Sequence, residues 1–171
     1  LRIATEIYLK RAVVGGVDRV FEINRNFRNE GMDSSHSPEF TALEAYEAYS
    51  DYNGMADLTR DLIQQAARDA FDLSEGEEIV RLADGTEYDL SGEWDRIDLY
   101  GSTSEALGEE ITVETPRETL VKYAERVGLE VDDYAVSGKI VEDIFEELVG
   151  SKLWAPTFVY DFPEDTSPLT R

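Results

Sequence analysis

The sequence contains no cysteine and a single histidine, His36. The first absence excludes disulfide bridges, thiolate zinc sites and thiol nucleophiles. The second excludes a metal site built from several imidazoles. No apolar run approaches the roughly 18–20 residues that a membrane-spanning helix needs. No basic, apolar leader is present, so neither a membrane span nor a secretory signal is expected. The P-loop, GxGxxG, HExxH and GxSxG patterns are all missing, as are internal repeats and low-complexity segments. Lysine is scarce, with 4 residues against 12 arginines.

What is present is acid. Among 171 residues, 38 are acidic and 16 basic, a formal net charge of −22. The pI near 4.2 argues against nucleic-acid binding by bulk charge and leaves a local basic site open. Hydrophobic residues make up 42% of the chain, enough for a packed core in one domain, or in one domain with a small appendage. The charge is uneven. Residues 1–71 carry 8 basic and 12 acidic side chains, net −4, and residues 72–171 carry 8 and 26, net −18. A charge beyond the ~2–8 suited to a small domain, with few lysines, points to a surface adapted to high salt. A solvated acidic face on an ordinary cytosolic protein is the plainer alternative.

Residues 6–14 have a short helical pattern (Ile7, Tyr8, Leu9, Ala12, Val13) stopped by Gly15-Gly16. Residues 19–28 alternate. Phe21, Ile23 and Phe27 point one way, and Val20, Glu22, Asn24, Asn26 and Arg28 the other, which predicts a strand with one greasy and one polar face. Residues 31–38 are rich in turn formers. Residues 40–49 are ambiguous: Ala, Leu and Glu favour a helix, while alternation allows a strand. Residues 54–71 predict an amphipathic helix with a stripe of Met55, Leu58, Leu62, Ile63, Ala66, Ala67 and Phe71, capped by Asn53. Short strand-like pieces occupy 78–100 around the turn Asp84-Gly85. Helices are expected at 117–127, after Thr115-Pro116 and before Gly128, and at 139–149, with a strand at 156–160.

The chemistry-bearing stretch is 19–46. If 40–49 pairs back on 19–30, parity gathers Arg28 and Glu30 on one strand with Phe40, Glu44 and Tyr46 on the other. Such a face holds a guanidinium fork for a carboxylate or phosphate, carboxylates for a cation, an aromatic ring to stack on and a phenol. A loop bearing His36 could fold over a polyphosphate. Spacing alone favours the plainer reading, a ribbon with a solvated polar face.

Three strings here closely resemble motif 2 of the class II lysyl-tRNA synthetases: Phe27-Arg28-Asn29-Glu30-Gly31, His36-Ser37-Pro38-Glu39-Phe40-Thr41 and Glu44-Ala45-Tyr46. Residues 1–31 are similar to that family throughout, and 154–171, WAPTFVYDFPEDTSPLTR, resembles its PTF…P…SPL segment. The aspartyl and asparaginyl relatives are expected to carry a Gln-Ser-Pro-Gln type segment where this sequence has Thr5 to Arg11. The resemblance implies an α+β fold, a class II aminoacyl-tRNA synthetase-type antiparallel sheet flanked by helices, with 40–49 a strand. It implies a partial catalytic domain over 1–171: helix and motif 2 hairpin at 1–53, helix and strands at 54–100, a small helical insertion at 101–152, and a return strand and tail at 153–171.

It also implies a cytoplasmic ligase that joins lysine to ATP, giving lysyl-adenylate and pyrophosphate, and then transfers lysine to tRNA(Lys). Arg28 would be catalytic, holding the lysine carboxylate and the ATP α-phosphate. Glu6 would meet the lysine α-amino group, and Glu44 and Tyr46 the ε-ammonium. Phe40 would stack on adenine, His36 would approach the terminal phosphates, and Glu30 would lie near adenine or the acceptor end. The residues that hold Mg2+, a glycine-rich motif 3, an anticodon-binding domain and most of the dimer-forming motif 1 are expected outside these residues. The parent would be a homodimer with no membrane attachment. Ser35 stands where relatives often offer the polyphosphate a basic residue. These 171 residues alone are therefore expected to be inactive, with an exposed sheet edge prone to association. Two other readings are a paralogue that lysylates a protein or lipid, and a non-catalytic module that keeps the fold.

Overall fold

The computed structural model describes residues 1–29, 31–33 and 36–169, and it divides into two compact units, Leu1–Asp57 and Leu58–Arg171. In the first, helix α1 (Glu6–Val14) is followed by strands β1 (Arg19–Phe27) and β2 (Glu39–Glu47). Glu6 in the first turn of α1 and Arg11 in the last suit the helix dipole, and Gly16 leaves the helix at φ 98°. β1 and β2 form an antiparallel ribbon in unbroken register from Arg19↔Glu47 to Phe27↔Glu39. Nine cross-strand partners override the helical propensity of 40–49, as pairing commonly does.

The two faces of this ribbon are not used as a simple amphipathic strand would use them. The polar side lies under α1, with Asn26 only 1% exposed, while Phe21 and Ile23 on the greasy side are 69% and 61% exposed. From Glu22 to Asn26 the polar face is therefore half-buried to buried, not fully solvated. The covered face is the polar one, because α1 brings hydrogen-bonding groups to it.

Helix α2 (Tyr52–Phe71) starts two residues earlier than its sequence cap suggests. Asp51, not Asn53, receives the Gly54 N–H, at 2.9 Å, and Asn53 lies inside the helix. Of the apolar stripe, Ala67 is buried, while Leu58, Leu62, Ile63 and Phe71 remain exposed. The opposite, polar side makes the attachments within the second unit. Gln64 Nε2 donates to the Leu90 and Gly92 carbonyls at 2.7 and 2.8 Å, and Arg68 pairs with the buried Glu78.

The second unit continues with β3 (Ile79–Arg81) and β4 (Glu87–Asp89), an antiparallel pair turning at Gly85, whose φ is 89°. Strand β5 (Asp95–Asp98), helices α3 (Leu99–Leu107), α4 (Arg117–Arg126) and α5 (Ser137–Leu148), a 3-10 turn (Gly150–Lys152) and β6 (Thr157–Tyr160) follow. Two differences from the sequence reading stand out. Residues 99–107 are helical, started by the Asp98 carboxylate accepting from Gly101 N at 2.5 Å. And β5 pairs with β6 in parallel, so the described strands form three two-stranded sheets, two antiparallel and one parallel, rather than one antiparallel sheet. The helices between β5 and β6 are the long crossover that a parallel pair requires. Leu99, Leu120, Ile140 and Ile144, each 1% exposed or less, centre the core, and Ile97 of β5 and Val159 of β6 pack against it. The helical segment thus shares one core with the strands on either side. No helix among the described residues is long and apolar enough to cross a membrane.

Candidate functional site

The register of the ribbon sets Glu22 opposite Glu44, Asn24 opposite Ala42 and Asn26 opposite Phe40, with Tyr46 beside Val20. These residues alternate onto one face. Thr5, fully buried at the head of α1, reaches down to it. Its N–H and its hydroxyl each donate to Glu44 Oε1 at 3.0 Å, and the Tyr46 hydroxyl donates to Glu44 Oε2 at 3.0 Å. These donors, the Thr5 N–H first, hold the Glu44 carboxyl below the usual carboxylate range against the opposing effect of burial. Burial, reinforced by Glu44, pushes the Tyr46 phenol up to about 12. So at neutral pH the pair is a carboxylate and a neutral phenol.

Glu22 faces Glu44 directly, a like-charge contact that would be destabilising unaided. Its own donors offset this: Asn24 Nδ2 at 2.9 Å, the main cause of its lowered carboxyl pKa, and Arg2 Nη2 at 2.9 Å. Glu6 is exposed on the first turn of α1 and pairs with Lys10 at 2.5 Å, and Lys10 Nζ sits 5.6 Å from the Tyr46 ring centroid. Glu6, Glu44 and Tyr46 are thereby gathered at one end of the face.

Arg28 and Phe40 meet at the other end. The Arg28 N–H donates to the Pro38 carbonyl at 3.0 Å, and its guanidinium carbon lies 5.2 Å from the Phe40 ring centroid, a cation–π contact. Arg28 is exposed, on an open cleft of about 680 Å³ lined by Leu1, Ile3, Phe27, Asn29 and Pro38. His36 is turned to Asp33, with Nδ1 2.8 Å from Oδ2 and its N–H donating to Oδ1 at 2.8 Å. Glu30, assigned to adenine or the acceptor end, lies outside the described residues. Among the described residues no group of three or more His, Asp or Glu side chains is placed to hold a metal ion.

Thr5 and Asn26 were not singled out by sequence. Thr5 carries a faint signal, a hydroxyl residue where a helix begins. That hydroxyl makes no helix-cap bond and is engaged by Glu44 instead. Asn26 reads as one more polar residue in an alternating strand.

The family model for tRNA synthetases class II (D, K and N) matches residues 1–171. A lysine–tRNA ligase of Kineococcus radiotolerans is 58% identical over the whole chain, and one of Mycolicibacterium gilvum 59%. The lysylphosphatidylglycerol biosynthesis bifunctional protein LysX of Gordonia bronchialis is 48% identical over the whole chain, which covers 15% of it. The chain covers 34% of each of the two ligases, about a third of their length. With the family model spanning every residue, the chain belongs to the class II tRNA synthetases of the aspartate, lysine and asparagine group.

Proposed function

We propose that this chain forms the motif 2 part of the lysine and ATP site of a lysine–tRNA ligase. The observation that carries the reading is the ionised Glu44 carboxylate clamped between Thr5 and Tyr46. A preoriented anion with a phenol at its side suits a primary ammonium at the end of an apolar stem. When a neutral side chain binds instead, the anion loses its partner, a larger penalty than a missing methylene gives.

The remaining roles follow the face. Glu6 meets the α-ammonium. Arg28 grips the lysine carboxylate and the ATP α-phosphate. Phe40 stacks on adenine, with the guanidinium beside it. His36 swings from Asp33 to the terminal phosphates, and Glu30 serves adenine or the acceptor end. A carboxylate oxygen of lysine attacks the α-phosphorus, the bond to the β-phosphate oxygen breaks, and pyrophosphate leaves. Arg28 stabilises the charge that develops at the phosphorus. The lysyl group of the adenylate then passes to a hydroxyl of tRNA(Lys), and AMP leaves. The family uses Mg2+ with ATP, but the described residues offer no cluster for it, and no step here runs through it. The small helical insertion at 101–152, a homodimeric parent and a cytoplasmic location belong to the same proposal.

Lysine-dependent ATP–pyrophosphate exchange by the full-length polypeptide tests the reading. Strong exchange with lysine and little with norleucine supports it, and equal rates with both overturn it. The LysX relative favours a second reading, in which the lysyl group is destined for a lipid. Its identity is lower than that of the ligases, and labelled lysine transferred to phosphatidylglycerol instead of tRNA would select it.

A further inference from the structure

Helices α1 to α4 each begin with a carboxylate of their own. Glu6 and Glu118 stand in the first turns of α1 and α4, and Asp51 and Asp98 accept from early amides of α2 and α3. Such a carboxylate suits the positive end of the helix dipole and satisfies N–H groups that the helix itself leaves open. α5 is the exception. Its first turn holds no acid and instead carries Lys139, a cation at the unfavourable end, and the residue before the helix, Val136, makes no side-chain cap. Gly138 in that turn is buried, so its N–H is shut off from water and needs a partner.

The partner lies 27 positions further along the chain. Asp165 Oδ2 accepts from the Gly138 N–H at 3.0 Å. The tail touches α5 again one turn on, where Thr166 Oγ1 lies 2.5 Å from Glu142 Oε1. Between these contacts the buried Pro163 packs over the helix start, and a Cβ on Gly138 would collide with both Pro163 and the Asp165 carboxylate. Crowding alone does not set Gly138 apart. Gly54, Gly101 and Gly150 are crowded too, but by Ser50, Asp98 and Glu146, three or four positions before them. Gly138 is the one described glycine whose space is taken by a distant segment.

We propose that Asp165 is the N-cap of α5, supplied by the tail, and that position 138 is glycine to admit it. The contact is a clasp. Residues 163–166 and the first turns of α5 order together, and loosening either loosens the other. The clasp is independent of the lysine reading of Glu44 and lies in a part of the chain which that reading does not use.

The test is amide hydrogen exchange, followed by mass spectrometry on the full-length polypeptide. Peptides covering 136–142 and 161–168 report on the clasp, and one covering 117–126 in α4 is the control. Asp165→Ala should speed exchange about tenfold in the first two, the loss of one helix cap, and leave the control unchanged. Asp165→Asn keeps an acceptor and loses the charge, and should fall between. Gly138→Ala is the sharper variant because the ordinary expectation has the opposite sign. Alanine is the better helix former, so an open helix position would gain from it. Here it should speed exchange in 136–142 and in 161–168 together, although no tail residue is altered. With Asp165→Ala already in place, adding Gly138→Ala should loosen the tail little further, since both act on one contact.

Slower exchange of 136–142 in Gly138→Ala with the tail unchanged would overturn the proposal, and so would unaltered exchange of 136–142 in Asp165→Ala. Should Gly138→Ala fold poorly, the two Asp165 variants decide, since Asp165 is exposed and its replacement leaves the core intact.

Discussion

Replacing Glu44 by glutamine isolates charge from shape. The amide oxygen can keep both Thr5 donors, which converge on one oxygen at 3.0 Å. The new NH2 then faces Tyr46, whose hydroxyl can rotate from donating to accepting. The local scaffold should therefore survive, and the lost feature is the anion. A hydrogen bond to a charged group contributes ~1.5–3 kcal/mol against ~1 for a neutral one. For a half-buried, partly screened carboxylate the resulting difference is about 0.5–2 kcal/mol. At 1.36 kcal/mol per decade that is roughly a 2- to 30-fold fall in kcat/KM for lysine. The assay is pyrophosphate exchange with lysine varied at saturating ATP, then the reverse. The KM for ATP should stay within about twofold. Equal losses for both substrates would refute the role, since a uniform effect marks general damage to the ribbon.

Four other outcomes follow from the structure. Tyr46 should be the last tyrosine to ionise in an absorbance titration, and Tyr46→Phe should remove that late step. Its folded pKa lies above its unfolded value, so its contribution to stability is complete below pH 10 and is lost as pH rises through about 12. Ile144→Ala, at a position with no exposure, should lower unfolding stability by about 2–5 kcal/mol, read from the urea midpoint, and a change under 1 would show the core is misassigned. On the 171-residue chain alone, Phe21→Ser with Ile23→Ser should reduce binding of a hydrophobic dye, because these are the most exposed large apolar residues of the ribbon strands. Thermal stability should rise from dilute buffer to molar KCl as the −22 charge is screened, and a flat profile would count against a surface adapted to salt.

The long periodic elements were readable from sequence because their patterns are local. α1, β1, α4 and α5 fall within a few residues of the predicted spans. β2 was readable only through resemblance, since AlaLeuGlu-rich stretches favour a helix until a partner strand exists. α3 was missed because its residues, LYGSTSEAL, are weak helix formers and the helix starts on a side-chain cap. The parallel pairing of β5 and β6 depends on three intervening helices, which no local window contains. At the site, Glu44 and Tyr46 could be named by type and parity. Thr5, 39 positions away from Glu44, could not, because only the packing of α1 on the ribbon makes it a partner.

The seam between α2 and the β3–β4 ribbon has a consequence for how such sequences drift. It is joined by an ion pair between Arg68 and the buried Glu78, and by Gln64 spanning two loop carbonyls. An apolar seam tolerates gradual change, one methyl at a time. An ionic one does not, since losing either partner strands the other charge, while exchanging both for apolar residues can be neutral. Positions 68 and 78 should therefore be inherited as a single character among relatives. They should either be kept as a cation and an anion or be exchanged together, with the intermediate of one changed residue rarely found.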